Sequence, residues 1–320
     1  MNGPGRRFTG TRVNDGVYNH CGCHNPPMLV TPLPGTDRGN LITILGNLRH
    51  DADNLRGPFN GSAYNRLVRY LRWATTAARQ LRYQVRSPDI DHLVLTRRYN
   101  TLLAGASSGM AGSHQEGLVN DLISLELEER VADFDTALEA LKERVASWNQ
   151  QGLFVVADTS VYIQHDVKLE EWDLRGILPV REEPIHLLVP MVVIDELDSL
   201  KQSRSTRWRA GYSLAVFERL LPSGIGSAIL AEEDYAPLDS GGIPRGKVTI
   251  EILFDPPGHE RLPINDDEII DRAVAIQPLA GRPVHLLTYD TGQSMRGRAA
   301  GLRVVKLRDD AGAGEELAKT

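Results

Sequence analysis

Hydrophobic residues are spaced in two different ways along this chain, and the change falls near residue 150. Between Leu41 and Gln150 they recur at alternating steps of four and three. Leu67, Leu71, Ala74, Ala78, Leu81 and Val85 form one series; Leu127, Val131, Phe134, Leu138, Leu141, Val145 and Trp148 form a second. Such steps put the residues on one side of an α-helix, so each series predicts a seam for packing helix on helix. Ser87-Pro88-Asp89 reads as a break followed by a helix start, and GASSGMAGSH from Gly105 to His114 as a loop. The pattern predicts a small antiparallel helical bundle over residues 41–150, with homo-oligomer formation through one of the N-terminal seams as the alternative.

Beyond residue 150 the apolar runs shorten and become continuous. Phe154 to Ala157 is apolar throughout, and Ile185 to Val189 and Val284 to Leu287 are apolar but for His186 and His285, as strands inside a parallel sheet are. Lys247 to Phe254 alternates, which predicts an edge strand, and Leu302 to Val305 reads as a final strand. Helices are predicted after Pro190, up to about Leu221, from Asn265, and from Gly292 to Ala300. Residues 222–246, with Pro222, Gly224, Gly226, Gly241 and Gly242, read as one long loop. The fold class is therefore α/β, a central parallel sheet flanked by helices, preceded by an all-α helical domain. The domains are a flexible arm over 1–40, the bundle over 41–150, the α/β domain over 151–308 and a disordered tail over 309–320.

Composition narrows the picture little. The 320 residues are 41% hydrophobic and 24% charged, with a formal net charge of -6, so contact with nucleic acid has to come from local basic patches. No run approaches the ~18 apolar residues of a membrane span and no apolar signal core opens the chain, which predicts a cytoplasmic protein with no membrane partner. The two cysteines lie in His20-Cys21-Gly22-Cys23-His24. Soft ligands suggest zinc, but a closed structural site needs a second separated pair, so a fortuitous cluster is the other reading.

Four acids follow the apolar runs. Asp158 follows the first strand directly, Glu196 follows the second through a helix start, Asp266 or Asp267 opens the helix after Pro263, and Asp290 ends the Val284 strand. Ligands of open α/β sheets collect beyond the carboxyl ends of the strands, so these acids are aimed at one crevice. Taken singly, each is a turn former or a helix cap. Together they repel one another, and a hard divalent ion with oxygen ligands relieves that repulsion. Asp195, Asp198 and Asp271 read as solvated helix charges.

The ordered motifs DTS at 158–160, VVIDELDSLK at 192–201, NDDEII with Ala273, and LLTYD ahead of Gly301-Leu302 resemble the PIN-domain nucleases, in particular the branch with an ELDxLK segment. The resemblance covers residues 152 to 307. It implies that Asp158, Glu196, Asp266 and Asp290 are the catalytic and metal-binding acids, with Ser160 and Thr288 as supporting hydroxyls. The family spacing fits Asp266 with Ile269 and Ala273; Asp267, with Ile270 and Val274, stays open as its competitor. It further implies Mg²⁺ or Mn²⁺ as cofactor, single-stranded RNA as substrate, 5′-phosphate products and, as for some PIN proteins, an inhibitory protein partner. The second reading is a catalytically inactive PIN-like module that binds RNA or another partner; Asp158-Thr159-Ser160 also begins a metal-dependent adhesion motif, although Tyr162 replaces its second serine.

No Gly-rich loop with Lys-Ser or Lys-Thr offers a rival chemistry. Basic residues cluster in two places. Arg66, Arg69, Arg72, Arg79, Arg82 and Arg86 lie off the first helical seam, and Lys201, Arg204, Arg207 and Arg209 follow the Glu196 helix. Arg69, Arg72, Arg79, Lys201, Arg204 and Arg207 are the candidate nucleic-acid contacts. The first cluster could instead be solvated or pair with the acidic helix from Glu126 to Glu143.

Overall fold

Five helices fill the first half of the chain: α1 (Arg38–Arg56), α2 (Ala63–Leu81), α3 (Ser87–Leu93), α4 (Arg97–Ser107) and α5 (Glu116–Ser147). They are seen in a computed structural model that describes residues 30–308 except 108–114, 179, 181, 225, 243, 257 and 258. The His20 to His24 cluster, the 309–320 tail and most of the loop expected at 105–114 lie outside the described residues; Gly105 to Ser107 end α4. The chain ahead of α1 already lies on the bundle at residue 30. Val30 is buried, and the Thr31 amide donates to Asp89 at 2.7 Å.

Helix α1 starts where the Asp37 side chain accepts from the Asn40 amide at 2.6 Å, and α2 starts at Ser62, whose hydroxyl accepts from the Asn65 amide. Leu41, Leu45 and Leu48 of α1 pack with Leu67, Tyr70 and Leu81 of α2 and with Leu127, Phe134 and Leu141 of α5. The α2 seam is turned from its expected position: Leu71 and Ala78 are half-buried, while Tyr70, Trp73 and Ala77 are inside. Aromatic bulk decides this, because both polar tips find acceptors. Tyr70 donates to Glu126 at 3.1 Å and Trp73 to the Leu48 carbonyl at 3.1 Å.

The second half is a six-stranded sheet in the order β3-β4-β2-β1-β5-β6. Its strands are β1 (Leu153–Ala157), β2 (Ile185–Pro190), β3 (Ser227–Ala231), β4 (Val248–Leu253), β5 (Val284–Thr288) and β6 (Arg303–Lys306). All neighbours are parallel except β3 with β4. The helices are α6 (Thr159–Gln164), α7 (Leu174–Ile177), α8 (Met191–Leu200), α9 (Arg207–Leu220), α10 (Asn265–Ala280) and α11 (Thr291–Ala299). Central strands β1, β2 and β5 are buried almost throughout, as their largely apolar sequence requires, with His186 and His285 buried among them.

Two expectations are corrected here. The 222–246 stretch is not one loop, because Ser227–Ala231 forms the antiparallel edge strand β3. For the same reason Val248–Leu253 is not an edge: it is paired with β2 on one side and β3 on the other.

The halves are packed together through α10. Leu279 near its end is buried in the helical core, and Arg38 donates to the Leu279 carbonyl at 2.8 Å. Trp148, at the end of α5, meets Phe154 of β1 edge-on at 5.4 Å. Among the described residues, no helix is long and apolar enough to cross a membrane.

Candidate functional site

Strands β1 and β5 are parallel neighbours with Ala157 opposite Leu287, so the residues that follow them leave the sheet at the same edge. Asp158 and Asp290 are those residues, and each caps a helix. Asp158 Oδ1 accepts from the Ser160 amide at 3.1 Å, and Asp290 Oδ1 accepts from the Gln293 amide at 2.6 Å. The Thr288 hydroxyl joins the two loops: it donates to Asp158 Oδ2 at 2.6 Å and accepts from the Asp290 amide at 2.9 Å. Ser160 Oγ also donates to Asp158 Oδ2, at 2.6 Å. Both hydroxyl residues named from the sequence thus meet the first acid.

Glu196 arrives from α8, on the other side of β1. Its Oε2 accepts from the Thr159 hydroxyl and its Oε1 from Asn265 Nδ2 at 2.8 Å. Asp266 and Asp267 stand in the first turn of α10, and Arg296 of α11 holds both. Its Nη2 is 2.5 Å from Asp266 Oδ2 and its Nε 3.1 Å from Asp267 Oδ1.

The charges are within reach of one another. Burial pushes the Asp158 carboxyl above the ordinary carboxylate range; its bonds from Ser160 and Thr288 pull it back, and the Glu196 charge adds to the rise. Asp266 is raised too, by burial first and then by the Asp158 charge, with Arg296 opposing and Asp290 adding. These influences link Asp158 to Glu196 and Asp266, and Asp266 to Asp290. The arrangement is open: among the described residues, no three of these acids bring one oxygen each within 4.8 Å of one another. Mg²⁺ tolerates such a cup, since it keeps several waters and takes only one or two carboxylates directly. The donor set fits a hard dication, and Asp158, 4% exposed, has no protein cation as a partner among the described residues.

The trio whose ligand atoms do lie within 4.8 Å is Asp255, His259 and Glu268. It is already compensated. Glu268 accepts from His259 at 2.7 Å and from the Leu262 amide at 2.9 Å and forms an ion pair with Arg272 at 3.2 Å, and Arg261 bonds Asp255 at 2.6 Å. Two guanidiniums beside two carboxylates make this a partly buried ion-pair network that ties His259 and the Leu262 amide to α10, next to the Asp266 turn.

Sequence reasoning passed over Thr159, Asn265 and Arg296. Thr159 lies within the DTS motif and Asn265 beside Asp266, so proximity to a nominated acid was the signal available. Arg296 carried none, because its partners are thirty positions away. Asp195 is not merely solvated, since Arg261 meets it at 2.5 Å.

Of the basic residues, Lys201, Arg204 and Arg207 are exposed around the connection from α8 to α9, with Lys201 paired to Asp198 at 2.7 Å. Arg69, Arg72 and Arg79 are exposed on the outer side of α2. Among the described residues they form no ion pair with the acidic helix α5. Its Asp135 meets Arg49 at 3.0 Å, Glu129 meets Arg98 at 2.6 Å and Asp133 meets Arg130 at 2.6 Å, while Arg69 lies over the Phe59 ring at 5.0 Å.

A family model described as a PIN domain matches residues 155–308. No curated protein and no solved structure matches the chain.

Proposed function

We propose, from the PIN-domain family model that matches residues 155–308, that the protein is a metal-dependent endoribonuclease that hydrolyses single-stranded RNA to 5′-phosphate products. One observation carries the reading: Asp158 is buried beside Glu196 and Asp266, with hydroxyls and an amide as its partners and no arginine or lysine. A carboxylate desolvated in that way calls for a cation from outside.

Asp158, Glu196, Asp266 and Asp290 would hold Mg²⁺ or Mn²⁺. The ion supplies an activated water and neutralises charge on the phosphodiester. The chain's own residues set the frame. Ser160 and Thr288 fix Asp158 Oδ2 and leave Oδ1 with a single amide bond. Thr159 and Asn265 hold the two oxygens of Glu196 and so fix its direction. Arg296 stands at the rim, where it offers a positive group to a phosphate. Lys201, Arg204 and Arg207 beside α8, and Arg69, Arg72 and Arg79 on α2, attract the phosphate backbone.

A second reading, a PIN-like module that binds RNA without cutting it, is favoured by the same arginine. Arg296 already neutralises part of the acid set, as a retained but inactive cup would need. Incubating the protein with labelled single-stranded RNA and Mn²⁺ or Mg²⁺, against Asp158→Asn, separates the two. Wild-type cleavage that requires metal and falls more than about a hundredfold in the variant supports the nuclease. Equal cleavage by both proteins refutes it, and binding with no cleavage selects the second reading.

A further inference from the structure

One strip of surface running from the cup combines aromatic rings and cations. It begins at Tyr289, between Thr288 and Asp290. The Tyr289 amide donates to Ser160 Oγ at 3.1 Å and its hydroxyl meets His165 Nδ1 at 2.9 Å, so this side chain spans α6 from the Asp158 end to the other. Beyond His165, the carbonyls of Asp166 and Val167 accept from Arg209 at 2.5 and 2.9 Å. The Arg209 guanidinium lies 5.5 Å from the centre of the Trp208 ring. Trp208 stacks on Tyr212 at 5.7 Å with 16° between the planes, and Lys168 Nζ sits 5.6 Å over Tyr212.

Trp208 is 60% exposed, although indole is ordinarily among the well-buried side chains. Its neighbours hold it there. Of the acids beside the strip, Glu170 is occupied by Arg219 and by the Tyr212 hydroxyl, while Asp166 and Glu171 add negative charge near His165 and Tyr212. An indole that presents π-surface to water, with cations beside it, matches a single polynucleotide strand, whose bases stack and whose phosphates need positive charge. A duplex keeps its base faces covered. An apolar protein partner would gain little from rings already flanked by ammonium and guanidinium groups.

We propose that the strip from Tyr289 and His165 through Arg209 to Trp208 guides a single strand away from the acidic cup, with Trp208, backed by Tyr212, as its base-stacking platform. The proposal rests on the nuclease reading in placing the reaction at the cup; the binding itself does not. Its test uses the full chain, labelled twelve-nucleotide single-stranded RNA and DNA, and a blunt RNA duplex, in EDTA. The wild type binds both single strands more tightly than the duplex, Trp208→Leu loses roughly tenfold in affinity, and Trp208→Phe retains most of it. With metal, Trp208→Leu raises KM for long single-stranded RNA by a similar factor, leaves kcat unchanged and leaves hydrolysis of bis-p-nitrophenyl phosphate unchanged. Equal affinity of Trp208→Leu and wild type overturns the platform, as does a parallel loss of small-ester hydrolysis, which would make Trp208 a residue of the fold. If single strands bind in a Trp208-dependent way and nothing is cleaved, the nuclease reading falls and the platform stands.

Discussion

Two buried carboxylates in this protein are treated in opposite ways. Glu126, in the helical half, is fully buried and meets Arg98 at 2.9 Å, Arg130 at 3.3 Å, Thr96 at 2.8 Å and Tyr70 at 3.1 Å. Asp158, at the end of β1, is 4% exposed, has only neutral donors, and lies near two further acids. Glu268 follows the first pattern, with Arg272 and His259. Where a carboxylate serves architecture, the fold brings a guanidinium to it. Where it stays uncompensated, the missing charge marks a place for something that binds.

The contrast can be broken most decisively at Glu126. Glu126→Ala leaves the nearly buried Arg130 and the Tyr70 hydroxyl short of a partner, and urea denaturation should show a loss of about 3–5 kcal/mol. A loss under about 1 kcal/mol would mean that Glu126 is not the architectural acid described. Asp158→Asn should behave the other way. Asparagine keeps the helix cap and removes a crowded charge, so in EDTA the variant should be as stable as wild type or more so. With Mn²⁺ at about a hundred times its dissociation constant, wild type should gain about 2.7 kcal/mol by mass action and the variant little of it. Marked destabilisation of Asp158→Asn in EDTA would turn Asp158 into a second Glu126.

A third measurement follows the sign of the Asp158 shift. Its folded pKa lies above the unfolded one, so the folded state holds its proton more tightly. The penalty is absent below the ordinary carboxylate range, grows as pH rises through that range, and is complete above the raised folded value. In EDTA the stability advantage of Asp158→Asn over wild type should therefore widen from about pH 4 upward; an advantage that narrows would contradict the shift. The smallest effect is expected at Thr159→Val, which frees one oxygen of Glu196. Loss of that bond should cost about 1 kcal/mol or less in stability and weaken Mn²⁺ binding about tenfold, read by calorimetry.

How much of this the sequence carried depends on where each residue's partners come from. Strands β1, β2 and β5 were legible because strands buried on both faces leave a short, dense apolar run, interrupted only by His186 in β2 and His285 in β5. Strand β3 was not, because Ser227-Ala-Ile-Leu-Ala is short, lies at an edge and buries little, so its pairing with β4 rather than its composition makes it a strand. The α2 seam was read one step away from its true direction, since the hydrogen bonds that admit Tyr70 and Trp73 come from α5 and α1. Asp158, Glu196 and Asp290 could be nominated because each comes after an apolar strand run, and Asp266 because it opens a helix at the family spacing from Ile269 and Ala273. What Thr159, Asn265 and Arg296 do could not, because neutral or positive residues acquire those tasks only when α8, α10 and α11 converge.

Helix α10 has sixteen residues and so is about 24 Å long. Asp266 stands in its first turn, while Leu279, near its end, is sunk among the side chains of the N-terminal helices, where Arg38 grips its carbonyl. The helix acts as a spar with one end moored in each half. Severing the chain near residue 150 would cast off that mooring and expose Leu279 to water. Asp266 would then have only one end of its helix to keep it on station, so the N-terminal helices act as a jig for the acid cluster as well as an attachment to it.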